Sequence, residues 1–80
     1  MNEIDKNIFE LIGILQDLHL ITLKRDFYEN IGILKQNLSG IKTGRNHFTH
    51  KHILNICKHY NVNVNWIYGL EKNVFRAIKT

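Results

Sequence analysis

Gln36 and Asn37 each carry a hydrogen-bond donor and an acceptor on one planar amide, and Lys35 beside them carries a donating ammonium. Such an amide matches the major-groove edge of adenine through two bonds, and a lysine can donate to guanine. Each well-made pair discriminates against a wrong base by about 1–3 kcal/mol. The surrounding charge suits a polyanion. No acidic residue lies between Glu29 and Glu71, a stretch holding Lys35, Lys42, Arg45, Lys51, Lys58 and four of the five histidines. The acids gather elsewhere: Glu3, Asp5, Glu10 and Asp17 oppose Lys6 alone in the first nineteen residues. The formal charge of +4 therefore understates how basic the rest of the chain is. A one-sign surface attracts nucleic acid, while a solvated basic face with no partner is the plainer alternative.

Other chemistries fit less well. His47, His50, His52, Cys57 and His59 invite a metal reading, but His50 and His52 are two apart and diverge on a helix, and there is no Cys-x-x-Cys pair. No metal is expected; these histidines instead add positive charge as pH falls towards about 6.5. Cys57 is the only cysteine, which excludes an internal disulfide and reads as a small core residue beside Ile53 and Tyr60. No nucleophile, base and orienting group stand together, so neither an enzyme nor a cofactor is expected. No small-molecule site is legible. Trp66 reads as a core or dimer anchor. The chain shows no secretory signal and no apolar run of membrane-spanning length. The expectation is a cytoplasmic protein without a membrane partner.

The elements that must carry these side chains are helical. Eighty residues make one domain, and the sequence has no proline, no repeat and no low-complexity run to mark a linker. Ile4, Ile8, Leu11, Ile12, Leu15 and Leu18 recur at three- and four-residue steps, the stripe of an amphipathic first helix whose acids face water. Thr22 is placed to cap a short second helix through Phe27 to Asn30, with Gly32 free to take a left-handed turn after it. Leu34, Leu38 and Ile41 repeat the helical spacing in a third helix, closed by Gly44, that turns Lys35, Gln36, Ser39 and Lys42 outward. After a loop from Gly44 to Phe48, Thr49 caps a fourth helix with Ile53, Leu54, Ile56, Cys57 and Tyr60 inside and Asn61 at its end. Asn63 caps a last short helix bearing Trp66 and Ile67 and ending at Gly69. Glu71 to Thr80 is a mixed tail. Only Asn61 to Asn65 alternates with a strand's period, so the predicted fold is all-α, a compact bundle of about five short helices with a helix-turn-helix. Residues 1–70 form the domain, and residues 71–80 a tail available for dimerisation.

Two short helices joined by a glycine turn, the second exposing amides and an ammonium, are what a reader of the major groove needs. From about Leu20 to Gly69 the chain resembles the Xre/Cro-type family of lambda-repressor-like helix-turn-helix domains. FYENIGILKQNLSGIKTG, Phe27 to Gly44, is similar to that family's second helix, Ile-Gly turn, recognition helix and closing glycine. RNHFTHKHILNICKHYNVNVNWIYG continues the likeness with a loop, a capped fourth helix and an Asn-Val-Asn-Trp-Ile run. Some phage-type repressors carry a similar Asn-x-Asn-Trp-Leu segment followed by Gly and an aromatic, to which Trp66, Gly69 and Phe75 correspond.

The resemblance implies a homodimer on double-stranded DNA, with base contacts from Lys35, Gln36, Asn37, Ser39 and Gly40 and phosphate contacts from Lys24, Lys42, Arg45 and Asn46. Three positions depart from the family's pattern. Tyr28 stands where a small residue lets helices two and three cross closely. Leu23 and Leu34 replace capping hydroxyls, which shifts the expected helix boundaries by a residue. Gly40 replaces a longer side chain at a reading position, at a cost of roughly 1 kcal/mol in helix stability; it either lets the backbone approach DNA or is tolerated because Leu38 and Ile41 anchor the helix.

One such helix reads too few bases to select a site, which favours two copies on an inverted repeat, with Ile67, Leu70, Val74 and Phe75 as the expected dimer contact. The expected function is a sequence-specific transcriptional regulator, a repressor of phage or mobile-element type on a palindromic operator. The alternative is a protein-interaction module, an antitoxin or adaptor subunit, that keeps the fold without strong base reading.

Overall fold

Helix formers and caps divide the chain into short segments that cannot hold themselves together in isolation, so packing must fix them. The structure, a computed structural model, describes residues 1–77. It is all-α, with five helices: α1 Glu3–Asp17, α2 Lys24–Ile31, α3 Lys35–Lys42, α4 His50–Tyr60 and α5 Val64–Ile67. Among the described residues the only β feature is an isolated antiparallel bridge between Val62 and Phe75. No described helix is long and apolar enough to cross a membrane.

The core collects the predicted stripes. Ile8, Leu11, Ile12 and Leu15 of α1 are buried with Phe27 and Ile31 of α2, Leu38 and Ile41 of α3, Ile53 and Ile56 of α4, and Ile67 of α5. Phe27 is wholly buried, and its ring stacks on Tyr60 with centroids 5.5 Å apart. That contact packs α2 against α4 and fixes the platform on which α3 rests.

Three leucines assigned to the inner faces lie outside. Leu18 follows the stripe of α1 by spacing, but the helix stops at Asp17, His19 turns left-handed at φ 59°, and Leu18 is left 52 % exposed. Leu34 precedes the first turn of α3 in extended conformation and is 58 % exposed. Leu54 sits one position beyond Ile53, off the line of buried Ile53 and Ile56 and half-buried Cys57, and faces water. Periodicity defines a face only while the helix lasts and a neighbour covers it.

Asp5 is a further correction. Expected in water with the other acids of α1, it is completely buried. Its carboxylate accepts the backbone N–H of Phe48 at 3.0 Å and lies 2.7 Å from His47 Nδ1, while its own N–H donates to the capping Asn2 side chain at 2.8 Å. These bonds tie the start of α1 to the loop between α3 and α4.

The second helix begins at Lys24, with Leu23 rather than Thr22 at the cap position; the Asp26 carboxylate accepts the Leu23 N–H at 3.3 Å. Gly32 ends it at φ 80°. Thr49 caps α4 and Asn61 ends it in the left-handed region, while Asn63 caps α5, all three as the residue types require. The tail returns to the body: Asn63 N–H donates to the Val74 carbonyl at 2.8 Å and Arg76 N–H to the Asn61 carbonyl at 2.9 Å. Residues 78–80 of the tail expected over 71–80 lie outside the described residues.

Candidate nucleic-acid interface

A three-residue turn, Gly32 to Leu34, separates α2 from α3. Ile33 plugs the turn into the core, and Leu38 and Ile41 hold the helix down, so the opposite side of α3 faces outward. Lys35, Gln36, Asn37 and Ser39 are all exposed. Among the described residues their side chains form no hydrogen bond. The first turn of α3 holds no acid, which leaves the positive end of the helix dipole unopposed and strengthened by Lys35.

Gly40, expected among the base-reading residues, is buried. The chain after α3 folds back over it: the N–H groups of Arg45 and Asn46 donate to its carbonyl at 2.8 and 3.0 Å, and the Thr43 hydroxyl donates at 3.1 Å. A Cβ on Gly40 would come within 3.2 Å of Asn46 Cγ and closer still to its amide nitrogen. Glycine is there so that the loop can cross the helix, a third reason beside close approach of DNA and simple tolerance. The outward edge of α3 thus consists of its first turn, Ser39 and Lys42.

The four residues expected at phosphates separate into two groups. Lys24 and Lys42 border one groove with Phe9, Gln16 and Tyr28, and Lys42 Nζ lies 5.8 Å above the Phe9 ring. Arg45 and Asn46 follow α3 on the loop, where Asn46 borders a hollow with Asn37, His47, Thr49 and His52 at the start of α4. Lys42 and Asn37 are five positions apart, about 140° around the helix axis at 3.6 residues per turn. Polar and basic groups therefore flank α3 on its α1 side and on its α4 side.

Tyr28 occupies the crossing of α2 and α3. Its ring meets the edge of Phe27 at 6.0 Å, and burial pushes its hydroxyl pKa up from the ordinary value. Beyond it opens a groove of about 390 Å3 with Tyr28, Ile33, Leu34 and Leu38 as apolar walls and Arg25, Glu29 and Lys35 at its edges.

The histidines do not converge. Among the described residues no three His, Cys, Asp or Glu side chains form a metal-holding group. His52 Nδ1 accepts the Thr49 N–H at 3.0 Å and completes the cap of α4. Burial pushes its pKa down, Lys51 pushes it further down, and a hydrogen bond with the Gly32 backbone acts the other way. Cys57 is half-buried, and that burial raises its thiol pKa against the opposing charge of Arg76.

Of the four residues expected to join two copies, Ile67 is wholly buried within its own chain and offers no side-chain surface to a partner. Its carbonyl takes the Asn7 amide at 3.0 Å, and the side chain fills the junction of α1 and α5. Val74 and Phe75 are half-buried against the core, and Leu70 is 74 % exposed. Trp66 is half-buried at the same end. Sequence reasoning missed Asp5 because the Phe48 N–H that it holds is more than forty residues away, whereas Asn2, an amide directly before the apolar stripe of α1, carried a local capping signal that went unused. No protein-family model, no curated protein and no solved structure matches this chain.

Proposed function

We propose that this protein is a sequence-specific DNA-binding transcriptional regulator, a repressor of phage or mobile-element type, with α2 and α3 acting as a helix-turn-helix. The observation that carries the reading is the first turn of α3: Lys35, Gln36 and Asn37 stand exposed together, with no acid in that turn. Their donors and acceptors suit adenine and guanine edges in the major groove, which admits one helix. Lys24 and Lys42 on one side of α3, with Asn46 on the other and Arg45 on the loop that follows, are suited to phosphates flanking the groove. Such a regulator works in the cytoplasm and needs no cofactor.

One first turn reads only a few base pairs, so the regulator acts as a two-fold dimer on an inverted repeat, with half-site centres about 34 Å apart. Leu70, with the exposed parts of Val74 and Phe75, is the contact that fits this role. Footprinting should show two protected half-sites one helical turn apart; a single half-site bound by a sedimenting monomer would refute the dimer.

A gel-shift titration on random duplex tests the reading as a whole. With three charged phosphate contacts per chain, Lys24, Lys42 and Arg45, and so six per dimer, affinity should fall about two-thousandfold between 50 and 200 mM salt. Selection from a random pool should then return a consensus. The groove behind Tyr28 favours one other reading, a protein-interaction module of antitoxin or adaptor type, and absence of any shift at low salt would select it.

A further inference from the structure

An exposed leucine directly before a row of base-reading side chains calls for an explanation. Leu34 is 58 % exposed and stands at the cap position of α3, where its side chain accepts no hydrogen bond and leaves the helix uncapped. A serine or threonine there would satisfy one of the free N–H groups. The leucine is not an isolated surface residue: it forms the rim of the groove walled by Tyr28 and Leu38, beside Lys35. The apolar surface is thus continuous with the basic first turn of α3.

A DNA major groove offers hydrogen-bonding edges almost everywhere and one apolar feature, the C5-methyl group of a pyrimidine. We propose that Leu34, backed by the groove of Tyr28 and Leu38, receives the C5-methyl of a pyrimidine at the base pair met by the start of α3. This rests on the DNA-binding reading above and adds a specificity determinant to it. The charges at the rim suit the assignment, since Arg25 and Lys35 border the groove and leave it net basic, with Glu29 the one opposing charge. Thymine and 5-methylcytosine present the same methyl at the same place, so either can supply it.

The test uses a duplex recovered by selection from a random pool. Each thymine of the bound site is replaced in turn by deoxyuridine, which deletes the methyl and keeps the pairing. At the responsive position a C·G pair is also compared with and without 5-methylation. Loss of one methyl should weaken wild-type binding about fourfold, the worth of one buried methylene-sized group, and loss of the matching methyl in both half-sites about fifteenfold. Leu34→Ser supplies the capping hydroxyl, so it folds at least as well as the wild type, and it should lose the methyl response. Leu34→Met keeps an apolar side chain and should retain it. A response in both the thymine and cytosine pairs assigns the methyl itself, and a response in the thymine pair alone assigns thymine. Equal methyl loss in wild type and Leu34→Ser, no loss at any thymine, or a selected site without thymine would overturn the assignment while leaving DNA reading intact. Failure to recover any bound duplex would overturn DNA reading itself.

Discussion

The start of α1 and the start of α3 are built in opposite ways. At α1, Asn2 caps the helix, Glu3 and Asp5 complement its dipole, and the buried Asp5 carboxylate is met by the Phe48 N–H and His47. At α3, the cap position holds a leucine, the first turn holds a lysine and two amides in water, and the dipole is uncompensated. The first end is capped and its buried carboxylate is satisfied, which contributes stability. The second leaves its side chains exposed and without hydrogen bonds, as the proposed DNA reading requires. The capped start and the open start thus lie at different helix termini of one small domain.

The largest expected effect falls on the satisfied end. Asp5→Ala leaves the Phe48 N–H buried without an acceptor, and unfolding free energy should drop by about 2–3 kcal/mol. Urea denaturation reads this, and base preference on a selected duplex should stay the same among molecules that remain folded. If stability does not change, the two ends are not built differently.

On the open end the expectation reverses. Gln36→Ala should leave stability within about 0.5 kcal/mol of wild type and cost about 1–3 kcal/mol of discrimination at one base position in each half-site. Competition titrations with single-base variants measure it, and a uniform loss across all sequences would show that Gln36 does not read a base. Lys42→Ala and Arg45→Ala form the contrast: each should weaken binding to every duplex alike and flatten the dependence of log affinity on log salt by about 2, one contact from each chain of the dimer. A loss restricted to one sequence would place these residues at a base instead.

The smallest effect concerns pH. Burial and Lys51 hold the His52 imidazole below its ordinary pKa in the folded protein, so folding favours its neutral form, which accepts the Thr49 N–H. Its contribution is complete above the unfolded value of about 6.5 and is lost as pH falls through that value towards the lower folded one. Wild-type urea midpoints should therefore fall between pH 7.5 and 5.5 by more than those of His52→Gln. Glutamine at that position keeps the capping pattern without titrating. Parallel declines in the two proteins would assign the pH dependence to other groups.

Helix number, helix order and most stops were legible because they depend on neighbours within one or two turns. Gly32 and Asn61 take left-handed conformations just past α2 and α4, and Thr49 and Asn63 cap where a hydroxyl or amide precedes an apolar run. The basic first turn of α3 was legible for the same reason, since exposure of Lys35, Gln36 and Asn37 follows from Leu38 and Ile41 pointing inward. Less could be read where one spacing admits two outcomes. Leu18, Leu34 and Leu54 all sit on or beside an apolar stripe, yet each lies where the helix or its covering neighbour ends.

By itself, then, the sequence determined an all-helical chain with a basic, amide-bearing third helix, because helix periodicity and capping are set by residues a few positions apart. Only the tertiary structure decided what the isolated polar and small residues are for. Asp5 became a buried acceptor because Phe48 and His47 arrive from 43 and 42 positions away. Gly40 became a crossing point because the Asn46 loop lies upon it. Ile67 was withdrawn from the surface by α1, and the tail was returned to Val62 by two backbone hydrogen bonds. Each of these outcomes depends on which surfaces meet, and a pattern of spacing along one chain carries no record of the distance between its remote parts.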